Sequence, residues 1–235
     1  MRRFFQSAAV AALLLGVAPF AAEAQTVALP HGLYAGVDAG VIVPQSISIH
    51  GSQTVGGTTA TFNGDLNFET GAATGLILGW HMTPFIALEG NFEYAGFDTH
   101  SLNGTVSVSG VGSTSGSISV QGHLDMYNGL MNAIWSPLGA ANWHGISPYI
   151  GAGVGFSHID QTESGIGGAS FGSVSQDETD FAANGIVGFD VAVMPQLTLG
   201  ARYRLLYVNT ASDDSGVSNG DLIGHVITAN ATWHF

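Results

Sequence analysis

Ile227-Thr228-Ala229-Asn230-Ala231-Thr232-Trp233-His234-Phe235 closes the chain in strict alternation. Ile227, Ala229, Ala231, Trp233 and Phe235 share one parity, and Thr228, Asn230, Thr232 and His234 share the other. Successive side chains of a strand point to opposite faces, so this segment has one apolar and one polar face. The apolar face ends in aromatics, as a lipid-facing strand does where it meets the membrane interface. A soluble domain has little reason to carry Phe at its carboxyl end. Trp233 and Phe235 are therefore read as the membrane-insertion signature of an outer-membrane β-barrel.

The other end agrees. Arg2 and Arg3 give a positive start, Ala8 to Val17 is an unbroken run of small and apolar residues, and Ala22-Glu23-Ala24 supplies a small-x-small cleavage pattern. A helix that spans a bilayer needs about 20 predominantly apolar residues, more than this run provides. The expectation is a cleaved signal peptide over residues 1–24, with Gln25 first in the mature chain, and one barrel domain over residues 25–235.

Composition narrows the class. Hydrophobic residues make up 46% of the chain and charged residues only 9%, yet no later stretch could cross a bilayer as a helix. The 34 glycines show no triplet period, which excludes collagen, and the absence of cysteine means an exported chain must hold together without disulfides. Lysine is absent. Setting aside Arg2, Arg3 and Glu23 with residues 1–24 leaves Arg202 and Arg204 against sixteen acids, a formal net charge of −14. With no basic patch for a phosphate backbone, nucleic-acid binding is excluded. A clamp of lysines and arginines on lipid A phosphates is disfavoured for the same reason.

Alternation and turn residues predict eight strands, near 33–43, 72–82, 85–95, 123–135, 149–159, 181–193, 197–208 and 222–235. Each has about the 9–11 residues that a tilted strand needs to cross a bilayer. In the first, Leu33 to Val43 in odd steps is apolar, and Tyr34, Gly36, Asp38 and Gly40 lie opposite. Strand four has no clear facing, because both parities hold apolar groups. Short turns with proline, Met82-Thr83-Pro84-Phe85 and Met194-Pro195-Gln196, contrast with four long connections rich in Gly, Ser, Thr and Asp. Those run over about 44–71, 96–122, 160–178 and 209–220. Short turns on one side and long polar loops on the other is the asymmetry of outer-membrane barrels. It places the short turns in the periplasm and the four loops outside.

A lipocalin-like or streptavidin-like soluble barrel is the rival closed form. It would turn the polar face to water, and a surface of that area normally carries far more charge. Lipid cannot satisfy an open sheet edge, so eight strands in a membrane must close on themselves. The expected fold is thus all-β, an eight-stranded antiparallel up-and-down transmembrane barrel.

Leu33-Tyr34-Ala35-Gly36-Val37, Thr83-Pro84-Phe85-Ile86-Ala87-Leu88-Glu89, Pro148-Tyr149-Ile150-Gly151-Ala152-Gly153-Val154-Gly155, Ala201-Arg202-Tyr203-Arg204 and the final Phe235 resemble the OmpA-like, opacity-protein-like small outer-membrane barrels. The resemblance covers essentially the whole of residues 25–235, without the periplasmic peptidoglycan-binding domain of full-length OmpA. It implies a surface-exposed integral outer-membrane protein. Roles within that family vary, and the fold does not settle function.

The inward polar set is Asp38, Glu89, Asn91, Glu93, Asn184, Asp190, Arg202, Arg204 and Asn230. An eight-stranded interior is just wide enough for side chains to fill, and buried charges must pair. Asp38, Glu89, Glu93, Asp190, Arg202 and Arg204 are expected to form an ion-pair network in the lumen, with a gated conduction path as the rival. Glycosidase-type carboxylates would need a cleft that the lumen does not offer. His31, His81, His144 and His234 fall near the periplasmic end, and His50, His100, His123, His158 and His225 in or near the outer half. None has zinc-motif spacing, so haem or metal capture gives way to interfacial or solvated histidines. His50-Gly51-Ser52 is the sole His-x-Ser for an esterase, and a loop is a poor place for a catalytic triad. Asp177-Glu178 and Asp213-Asp214 read as solvated loop charges.

No enzyme activity, cofactor or metal is expected. The expected partners are outer-membrane lipid and lipopolysaccharide, the barrel-assembly machinery through the C-terminal strand, and an unidentified extracellular ligand of the loops. The barrel itself is expected to be a monomer. The expected role is envelope structure and surface interaction through the four long outer loops, with a small-solute channel and an outer-membrane lipid-modifying enzyme as the alternatives.

Overall fold

Period-2 alternation sets the facing of nearly every strand, and the computed structural model places the apolar parity outside. It describes residues 32–55, 58–138, 145–166, 169–210 and 217–235. The expected signal peptide, the cleavage point, His31, His144 and Asp213-Asp214 lie outside the described residues.

Among the described residues there are eleven strands: β1 Leu33–Pro44, β2 Ile47–Val55, β3 Thr58–Phe68, β4 Gly71–His81, β5 Ile86–Val108, β6 Gly112–Trp135, β7 Ile146–Ile166, β8 Ala169–Met194, β9 Leu197–Asn209, β10 Val217–Asn219 and β11 Leu222–His234. Pairing runs β5-β4-β1-β11-β9-β8-β7-β6 and returns from β6 to β5, so these strands close a ring. Every contact around it is antiparallel. Closure gives each backbone group within lipid a partner.

One register row, followed around the ring, shows how the ring closes. Ser157 pairs with Asn128, then come Glu93, Gly75, Asp38, Asn230, Gly200, Asp190 and finally Ser147. The row starts on β7 at residue 157 and returns to β7 at residue 147, a stagger of ten residues. Tilted strands require such a shear. Inward positions therefore spiral around the wall.

The outer surface carries Val37, Leu76, Leu78, Phe92, Met131, Val154, Phe156, Val187, Phe189, Leu199 and Ile227, all well exposed. Trp80, Trp135 and Trp233 are 49%, 50% and 45% exposed and mark the periplasmic edge of this band, with Tyr94 and Tyr127 toward the other edge. Strand β6 now has a defined facing: Tyr127, Met131 and Trp135 point to lipid, while Met126, Asn128, Leu130, Asn132 and Ile134 are buried inside. Its interior parity mixes amides with apolar groups, which is why alternation alone does not orient it.

The periplasmic turn after β4 is held by Thr83, whose Oγ1 accepts from the Phe85 and Ile86 N–H groups at 3.2 and 3.0 Å. The long connections are less irregular than their composition suggests. Most of their described residues continue as strand, in β2, β3, β10 and the outer parts of β5, β6, β7 and β8. Short hydroxyl side chains alternate there with Val, Ile, Leu and Phe, and continued pairing satisfies the backbone without burying a core.

Candidate functional site

Glycine on one strand lets a large polar side chain on the next lie flat against the wall. A Cβ on Gly188 would come within 2.6 Å of Tyr149 Oη, and one on Gly79 would overlap the Tyr34 ring. Thus Tyr34 and Tyr149 reach along the inner wall from β1 and β7, over the neighbouring strand, toward β5 and β9.

They meet the first arginine. Arg202 on β9 grips Glu89 on β5 with two hydrogen bonds, Nη1 to Oε1 at 2.5 Å and Nη2 to Oε2 at 3.0 Å. Its Nε donates to Tyr149 Oη at 3.1 Å, and Tyr34 Oη donates to Glu89 Oε2 at 3.3 Å. Two residues along β9, Arg204 serves a different group. Its guanidinium pairs with Glu93, donates to Asn91 Oδ1 at 2.5 Å and lies 3.4 Å from Asp38 Oδ2. Asn128 Nδ2 donates to Glu93 Oε1 at 3.2 Å. Asp190 contacts neither arginine within salt-bridge distance; Asn230 Nδ2 donates to its Oδ1 at 2.9 Å. Paired and hydrogen-bonded charges are the arrangement a low-dielectric interior tolerates.

The outer half of the interior is apolar, which the sequence reading of a polar lumen misses. Ile42, Phe97, Leu124, Met126, Leu130, Leu206, Val208, Leu222 and Val226 pack together there, with Ile47, Phe68 and Ile159 against them. The phase of Ile42, Leu206, Val208 and Val226, which share parity with Asp38, Arg202, Arg204 and Asn230, carries that signal. At the periplasmic end a cavity of about 40 Å³ is lined by Tyr34, His81, Glu89, Asp190, Arg202 and His234 among others. The His81 and His234 rings stack there with centroids 5.7 Å apart, and His234 Nε2 lies 3.2 Å from Thr198 Oγ1.

The remaining described histidines lie toward the outside and have local partners. His123 Nδ1 is 2.6 Å from Asp98 and its Nε2 3.3 Å from Asp125. It lies beyond the Tyr94–Tyr127 edge of the apolar band, and the hydrogen bond to Asp98, then its charge partners, raise its pKa above the ordinary 6.5. His100 pairs with Glu69 at 3.1 Å, His158 with Asp160 at 3.3 Å, and His225 Nδ1 with Tyr203 Oη at 2.7 Å. His50 sits on β2, its Nδ1 2.8 Å from Asn63 Oδ1, so the His-x-Ser pair is part of a strand ladder. No group of three or more His, Cys, Asp or Glu side chains among the described residues converges as a metal site.

A closed antiparallel ring with an apolar exterior and charges inside matches one sequence family. The profile of the outer membrane protein beta-barrel domain matches residues 7–235. The chain belongs to that family. It is accordingly an outer-membrane protein. Neisserial surface protein A is 16% identical, with 87% of this chain and 97% of that chain covered and a TM-score of 0.48. OprG from Pseudomonas aeruginosa is 14% identical over 90% of this chain and 100% of its own, TM-score 0.46. Ail of Yersinia pestis, solved in complex with the heparin analogue sucrose octasulfate, is 11% identical over 87% and 100%, TM-score 0.43. No curated protein matches this outer-membrane barrel in sequence.

Proposed function

We propose that this outer-membrane barrel is a non-enzymatic envelope protein whose filled lumen anchors an interaction surface outside the cell. One observation carries the reading: Arg202 and Arg204 both turn inward and are spent on Glu89, Glu93 and Asp38. No arginine or lysine among the described residues then remains to guide solutes or phosphates at a channel mouth. The apolar cluster above the charges supports a plug over a water path. The wide apolar band takes outer-membrane lipid and lipopolysaccharide as its surroundings, and the C-terminal strand with Trp233 and Phe235 is the segment for the barrel-assembly machinery. The barrel functions as a monomer within its membrane.

Planar-bilayer recording of the refolded barrel tests this. The expected result is a silent bilayer, once heat-modifiable gel mobility has established folding. Reproducible openings whose ion selectivity changes with Glu93→Gln would replace the reading with a channel. Lipid A mass spectra that differ between cells with and without the protein would replace it with an enzyme.

A further inference from the structure

Beyond the lipid band the ring opens into free edges. Register shifts at Asn67/Phe68, Asp98/Ser101 and Gln121/Gly122 mark the level where this happens. Above them β2, β3, β5 and β6 continue as one amphipathic sheet. Rows such as Ser48–Asp65–Asn103–Ser117 and His50–Asn63–Thr105–Ser115 lie on one face, and Ile47–Leu66–Leu102–Ile118 on the other.

Open edges template pairing with another chain, and proteins blunt them with charge, proline, bulges or brevity. Three edges are open there among the described residues, and two are guarded. The β2 edge is capped along Ile49–Gly51 by the three-residue β10, leaving only short stretches to either side. The β8 edge, open above Phe181 where pairing with β9 begins, carries Asp177, Glu178 and Asp180 in its lower part, and its uncharged outer part, residues 169–176, is interrupted by the register shift against Glu163/Gly165. The third is β6 from Gly112 to Ser119, Gly-Ser-Thr-Ser-Gly-Ser-Ile-Ser. It pairs with β5 alone, since pairing with β7 starts only at Val120. All of it is exposed, and it holds no charge, no proline and no shift of register against β5. In a chain of net charge −13, the whole stretch from Ser101 to Gly122 has no Asp, Glu, Lys, Arg or His.

We propose that this edge is a homophilic docking site, at which the Gly112–Ser119 strands of two copies of this chain on facing outer membranes pair antiparallel into one continuous sheet. A second copy is the occupant because two strongly acidic chains can approach at the one hairpin where neither carries charge. The facing-membrane arrangement follows from the amphipathic sheet. A two-fold axis perpendicular to the sheet reverses strand direction and keeps like faces together. A two-fold axis along the membrane normal, relating neighbours in one membrane, would bring the strands parallel with opposite faces aligned. Antiparallel pairing is also the stronger ladder. This deepens the surface-interaction reading and does not depend on whether the lumen conducts.

The test is clustering of liposomes that carry the full chain, in two dye-labelled populations read by energy transfer and light scattering. Populations that both carry the chain are expected to cluster, and mixtures with protein-free liposomes to stay dispersed. The double variant Ser115→Asp, Ser117→Asp, folded by heat-modifiable mobility, is expected to lower clustering at least tenfold. A synthetic peptide of residues 112–119 is expected to inhibit clustering of the unaltered chain, which decides the matter if the variant fails to fold. Dispersed wild-type liposomes, clustering with protein-free liposomes, full clustering by the folded Asp variant, or indifference to the peptide each overturn the proposal. Conductance in the bilayer assay with normal clustering would instead remove only the filled-lumen reading.

Discussion

Asp38 and Glu93 approach the guanidinium of Arg204 from opposite sides of Gly75, the backbone positions of Asp38, Gly75 and Glu93 lying in one register row. Removing the arginine leaves two buried carboxylates facing each other. Arg204→Met is expected to cost about 3–5 kcal/mol, the penalty for breaking a buried ion pair from one side. Urea unfolding of the refolded barrel in lipid vesicles measures it. Adding Glu93→Met and Asp38→Asn to the same chain should recover most of the loss, and a triple variant as unstable as the single one would mean that the charges do not act together.

The close approach of Tyr34 to Gly79 gives a second expectation. Gly79→Ala drives a methyl group into the Tyr34 ring, so overpacking should destabilise the barrel by about 1–3 kcal/mol. Gly185→Ala is the control, since a Cβ there meets nothing within 4 Å. Equal midpoints for the two variants in urea would show that Tyr34 moves aside freely.

His123 provides a pH dependence with a definite sign. Its pKa is raised in the folded chain by Asp98, so folding is favoured by its proton. That stabilisation is fully present below the unfolded value near 6.5 and is lost as pH rises through the folded value. The side chain is 47% exposed, so solvent screening holds the effect to about 0–1 kcal/mol and salt weakens it further. An NMR titration of the ring should show a midpoint above that of the Asp98→Asn variant. Coincident curves would remove Asp98 as the cause.

Phe235 is 72% exposed, and its N–H donates to the Leu33 carbonyl oxygen at 3.0 Å. Phe235→Ala keeps that backbone bond and removes only the aromatic. Purified protein refolded in detergent should keep its unfolding midpoint within about 1 kcal/mol, as expected for an exposed position. Its level in the outer membrane of living cells should fall several-fold by immunoblot. Loss in both assays would make the ring a structural element, and loss in neither would leave it without a role.

Strand phase was legible because lipid and lumen demand opposite chemistry, and residues such as Leu88, Phe92 and Tyr94 against Glu89, Asn91 and Glu93 record that demand every second position. The legibility weakens where the inner face also turns apolar. Met126 and Leu130 are interior, yet nothing in their chemistry separates them from Met131 and Tyr127 on the lipid side. Ser113 to Ser119 was illegible for another reason: short hydroxyl residues and glycine suit loops, and only pairing with β5 makes them strand. Of the interior charges, the carboxylates and arginines could be assigned to one face from sequence. Which carboxylate meets which arginine depends on the stagger between distant strands, which alternation does not encode.

The ten-residue return of a register row to β7 makes the barrel a screw thread rather than a stack of rings. Residues 38, 93 and 204 come to one place only because three far-apart segments each advance along that thread by the right number of steps. A single residue inserted within any ring strand would turn the rest of that strand inside out, and early in β1 or β5 it would present carboxylates to lipid. An insertion in a hairpin beyond the band would leave the thread intact. The chain is thus rigid in its arithmetic through the membrane and free to be rewritten at its outer tips, where a surface protein meets whatever it touches.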